Sequence, residues 1–192
     1  MSELGASIIA ASGFLRSFFS DVSKLLTVVE GEMTGSGLIS PFGTGSIWNR
    51  SSSYAFPSLW IPNYVARQYV EAPPEGAKVS NVASWYAFVV VHFAPQAVGE
   101  PSVIWGTATL KSVQYVWTSF NKLVLAERGP KFLTRIPVED WQILPEPGQD
   151  LRGLRYRARG VVDLCDETMV QQVVVQPLLE LVEQVRTESQ GA

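Results

Sequence analysis

Apolar side chains recur at alternating spacings of three and four through the first part of the chain. Ile8, Ala11, Leu15, Phe18, Val22, Leu25 and Val29 form one stripe, which Phe14, Phe19 and Leu26 widen. Arg16, Ser20, Asp21, Ser23, Lys24 and Thr27 fall mostly off it. This period predicts an amphipathic helix over 4–30. The stripe is too apolar to face water, so the helix packs against something. One partner is the chain's own sheet. Another is a self-association seam through Leu15, Phe18, Val22 and Leu25, because the same spacing suits knobs-into-holes contacts. A membrane-surface helix fits less well, since the polar face lacks a basic excess. Gly31 is well placed to stop the helix.

From 31 to 53 the composition turns to Gly, Ser and Thr, which reads as a long loop. Its glycines complete neither G-x-G-x-x-G nor a Gly-Lys-Ser/Thr ending, so it lacks the phosphate-cradling pattern. Between 54 and 71, Pro57 and Pro62 disfavour helix, and Val65 to Val70 suits a strand. Ala72 to Gly76 is a turn. The run Trp85 to Phe93 is β-branched and aromatic with almost no polar break, as in a central strand covered on both faces. Ser102 to Leu110 reads as its hairpin partner. Residues 112–126 fit a helix somewhat better than an alternating strand, and read as helix or mixed. Leu133 to Ile136 and Trp141 to Leu144 suit short strands, and Leu154 to Leu164 a longer one. A last helix over 166–187 carries Val170, Val173, Val174, Leu178, Leu181, Val182 and Val185 on one face. Asp166 is its N-cap, and Pro177 should kink or split it.

The fold class expected is α+β. An antiparallel-rich sheet forms the core over 54–164, and the N-terminal and C-terminal helices pack on one face. At 192 residues the chain suits a single domain. Charged residues make up only 17%, with 46% hydrophobic and 11% aromatic. Low charge and many aromatics suggest that a partner covers some apolar surface. The net charge is −3 and no Lys/Arg run occurs, which argues against nucleic-acid binding. The densest basic stretch, Arg152, Arg155, Arg157 and Arg159, reads as a solvated sheet face. A single cysteine fits a reducing compartment, and no span reaches the length of a membrane-crossing helix. A cytoplasmic location is expected.

The chain offers little for catalysis. His92 lies in the most apolar strand with no partner at a recognisable spacing. Cys165 sits beside Asp163, Asp166 and Glu167, whose charge disfavours a thiolate. Those three acids suit a hard-cation site or, more simply, helix capping. No catalytic residue, metal ligand set or cofactor is assigned. The aromatics Trp48, Tyr54, Trp60 and Tyr64, with Arg50 and Arg67, suit core packing under a loop or, as a functional reading, an interface anchor or a small-molecule pocket. The expected function is a non-catalytic interaction or assembly protein that self-associates or binds another protein. The alternatives are a small-ligand-binding or sensory domain on the 48–69 aromatics, or a metal-dependent hydrolase on Asp163, Asp166 and Glu167.

Overall fold

A computed structural model describes residues 3–43, 47–48, 64–93, 101–116, 118–120, 138–145, 150–164 and 166–190. Helix α1 (Glu3–Gly35) leads into strands β1 (Leu38–Ile39), β2 (Ile47–Trp48), β3 (Tyr64–Glu71), β4 (Val82–His92), β5 (Ser102–Tyr115), β6 (Val138–Pro145) and β7 (Leu151–Gly160). A 3-10 turn (Val161–Asp163) precedes helix α2 (Glu167–Val170), a π-turn (Gln171–Val175) and helix α3 (Gln176–Gln190). All pairings among the described residues are antiparallel, and the sheet order is β1-β3-β4-β5-β7-β6, with β2 also on β3. The 85–110 hairpin lies at the centre, as its composition implies.

Strand alternation divides the sheet between two cores. Trp85, Ala87, Val89 and Val91 point to one side with Val65, Tyr69, Val103 and Trp105. They meet Val22, Leu25, Leu26, Val29 and Met33 of α1 and Val174, Leu178, Val182 and Val185 of the C-terminal helix. Both helices therefore cover one face, and the chain is α+β. Tyr86, Phe88 and Val90 point the other way with Tyr64, Ala66, Ile104, Ala108, Leu154 and Tyr156, under Val116 and Phe120. Burial on both faces explains why β4 reads as an unbroken apolar run.

Several elements depart from the sequence reading. α1 does not stop at Gly31; it runs to Gly35, because Met33 is fully buried and holds another turn against the sheet. The reversal falls at Gly37, whose φ of 77° needs a residue without Cβ, and whose N–H donates to the Thr34 carbonyl. Gly31 is exposed, and a methyl group added there would meet no described atom within 4 Å. Gly31→Ala is therefore expected to stabilise the protein by about 0.5–1 kcal/mol, read as a higher urea midpoint with an unchanged slope. The segment 112–126, expected to be helical or mixed, is mixed in its described part: residues 116 and 118–120 are helical, and 112–115 extend β5 to Tyr115. Val113 and Tyr115 are exposed there, so their apolar pattern carries no burial signal. The expected strand at 133–136 lies outside the described residues.

The discontinuity anticipated at Pro177 takes the form of the π-turn just before it. Proline cannot donate to the carbonyl four residues back and crowds it. That carbonyl belongs to Val173, inside the widened turn. Pro177 itself is the second residue of α3, directly after that turn. Backbone angles at Gln171 and Gln176 stay right-handed helical, so one helical path runs from Glu167 to Gln190.

Candidate functional site

The stripe of α1 has two fates. From Val22 onward it is core: Val22 is 3% exposed and Val29 is fully buried. Before that the helix leaves the sheet. Leu4, Ile8, Ile9 and Phe14 are 70%, 57%, 62% and 68% exposed. Leu15 and Phe18 are half-buried. The boundary is aromatic: the Phe18 and Phe19 rings meet Phe93, just past the end of β4, at 5.5 and 5.2 Å between centroids. Phe14 stacks on Phe18 at 6.2 Å. Between Glu3 and Asp21 the only charged side chain is Arg16. The result is a continuous apolar face on a helical arm, in register with the core behind it. Of the residues expected to form a seam, Val22 and Leu25 belong to the chain's own core, whereas Leu15 and Phe18 stand where core gives way to arm.

The expected aromatic anchor does not converge. Tyr64 and Arg67 are three apart on β3 and so face opposite sides of the sheet. Tyr64 is buried on the side away from the helices, and desolvation raises its phenol to about 12. Arg67 lies beneath α1. It approaches Glu30 Oε2 at 3.4 Å and donates to the Gly43 carbonyl at 2.9 Å. Burial, followed by the nearby Glu30 carboxylate, pushes the Tyr69 phenol far above its ordinary value, while Arg67 acts in the opposite sense. This polar knot fixes helix to sheet and offers no surface for binding. Trp48 is placed only through its backbone, opposite Val65, and Arg50, Tyr54 and Trp60 lie outside the described residues.

A second tie that the sequence reading missed is Arg186 on α3. It donates to both carboxylate oxygens of Glu71, at 2.7 and 3.0 Å, and to the Ser36 carbonyl at 3.0 Å, and it pairs with Glu183. One guanidinium thus joins the end of β3, the turn after α1 and the C-terminal helix, a geometry that a lysine cannot match.

The residues with chemical potential are mostly spent on structure. Asp166 accepts the Met169 N–H at 2.9 Å as the N-cap of α2, and Asp163 and Glu167 are exposed. Among the described residues no group of three His, Cys, Asp or Glu could hold a metal ion. His92 pairs across the sheet with Tyr64 and Ser102, and burial lowers its imidazole pKa. Ser102 is fully buried, and its hydroxyl has no hydrogen-bond partner among the described residues, whereas His92 is only half-buried. The basic row on β7 is tied into the fold. Glu188 holds Arg155 at 2.9 Å, and Arg157 lies 4.6 Å over the Trp141 ring. A groove of about 430 Å³ runs beside this row, lined by Thr107, Thr109, Ile143, Arg152, Arg155 and Glu188. Among the described residues no helix is long and apolar enough to cross a membrane. Comparison of the chain with protein-family models, with curated proteins and with solved structures finds no match.

Proposed function

We propose that the protein is a non-catalytic interaction or assembly module whose binding surface is the first half of α1. The observation that supports this is the exposed apolar face of Leu4, Ile8 and Phe14, on a helix whose second half is core. Large apolar side chains clustered in water favour burial against another surface, each by about 1.5–3 kcal/mol if fully covered. The structural duties of Asp166 and the inaccessibility of Ser102 leave no comparable case for a reaction centre among the described residues.

The test is size-exclusion chromatography with light scattering from low to high micromolar protein. The intact chain is expected to elute above the 21.1 kDa of a monomer. Ile8→Glu is expected to return it to monomer mass without changing the thermal midpoint of the folded body, because Ile8 makes no part of the core. A wild-type chain that stays monomeric, or an assembly indifferent to Ile8→Glu, would sink the reading.

A further inference from the structure

We infer that the partner of the helical arm is a second copy of this chain, and that the two arms pair antiparallel about a twofold axis between Ile9 and Ala10. This rests on the proposed role of the arm and adds its partner and geometry.

The stripe runs Leu4, Ile8, Ala11, Leu15, Phe18, Val22, Leu25, Val29 at spacings of four and three without a break. That is the repeat of a two-helix seam. The same face that is free at Leu4 is filled by the chain's own sheet at Val22. Direction follows from this. In a parallel pair, both seams would carry their own sheet beyond Phe18, and two bodies would claim the space between the helices. In an antiparallel pair, each arm ends where the other chain's body begins.

The register follows from the length of free seam. Phe18 is already occupied by Phe93, so the positions left for a partner are the exposed Leu4, Ile8 and Ala11 and the half-buried Leu15. Antiparallel seams layer the first position of one heptad against the fourth of the other. Only one such arrangement uses these four positions alone: Leu4 meets Leu15 of the second copy, and Ile8 meets its Ala11. Each layer is then large against large at the ends and large against small near the axis, which lets the helices approach closely in the middle. Ser7, Ala10 and Ser12 flank that middle with small side chains. The start of each arm abuts the Phe18, Phe19 and Phe93 cluster of the other chain. An isologous contact of this kind closes on itself and gives a dimer, not a fibre. Lipid is a poorer partner, since only Arg16 and Lys24 among residues 3–24 are basic, against Glu3 and Asp21.

Disulfide trapping reads the register. In full-length chain carrying Cys165→Ser, which removes the one native thiol, Leu4→Cys and Leu15→Cys proteins are prepared separately. Mixed under mild oxidant, they should cross-link to each other. Alone, each should cross-link weakly, because like positions lie about 16 Å apart along the axis. If Leu4→Cys and Leu15→Cys each cross-link to themselves, the pairing is parallel and this inference falls, while the assembly role survives. If the protein is monomeric and instead floats with neutral phosphatidylcholine vesicles, both fall.

Discussion

Gly106→Ala is expected to prevent folding or to remove most of the stability of the protein. A methyl group at this position would lie 2.0 Å from the Arg155 carbonyl oxygen, 2.8 Å from the Tyr156 Cα and 2.9 Å from the Arg155 carbonyl carbon. All three atoms are main chain, so no rotamer change relieves the contact. Gly106 pairs with Tyr156 in the middle of the β5–β7 ladder. Relief means separating two central strands and losing their hydrogen bonds. Ordinary overpacking costs about 1–3 kcal/mol, and a backbone collision adds ladder bonds to that. Gly153→Ala is the matched control on the same strand pair, because no described atom lies within 4 Å of its added carbon. Urea unfolding of the two variants makes the comparison. A Gly106→Ala protein within about 0.5 kcal/mol of wild type would show that β7 does not approach β5 as described.

The contrast between these glycines shows where sequence reading stops. Periodicity registers which side chains need burial, so the run Trp85 to Phe93 declares a central strand and the 170–185 stripe declares a core helix. A glycine has no side chain to declare anything, and Gly106 looks no different from Gly153 until β7 is placed beside it. The stripe of α1 presents the same difficulty in another form. Leu4 to Leu15 and Val22 to Val29 follow one repeat, yet the sheet covers only the second part. Where a helix leaves the body depends on where the sheet ends, here at Phe93, and no spacing within the helix encodes that. Residues 112–115 mislead for a related reason: Val113 and Tyr115 are exposed on a strand that outruns its core, so burial no longer shapes the pattern.

Polar residues are harder still. Tyr64 and Arg67 resemble neighbours in an anchor, but strand parity sends them to opposite faces. Glu30 and Arg186 are inconspicuous in the sequence, since their partners lie far along the chain, Arg67 in one case and Glu71 with the Ser36 carbonyl in the other. Capping, by contrast, is local, and Asp166 is recognisable because its acceptor role needs only the residues that follow it.

Arg67→Met should cost about 3 kcal/mol or more, far above what an exposed ion pair contributes. The Arg67 side chain is 10% exposed and that of Glu30 30%, so both charges are poorly solvated. Removing the guanidinium leaves the Glu30 carboxylate against the Tyr69 phenol, whose own ionisation burial already opposes. It also strips the Gly43 carbonyl of its donor. The informative comparison is a double-mutant cycle with Glu30→Gln. If the pair neutralises itself beneath α1, Arg67→Met with Glu30→Gln will be less destabilised than the sum of the single changes, because the second substitution removes the charge stranded by the first. Additive losses would mean that Arg67 acts through contacts other than Glu30, the Gly43 carbonyl among them, and that this ion pair does not help hold the helix to β3. Since the arm projects from this same helix, the cycle also separates two roles of α1. Loss of the ion pair should weaken the fold while leaving the disulfide-trapped register of any surviving dimer unchanged, and Ile8→Glu should do the reverse.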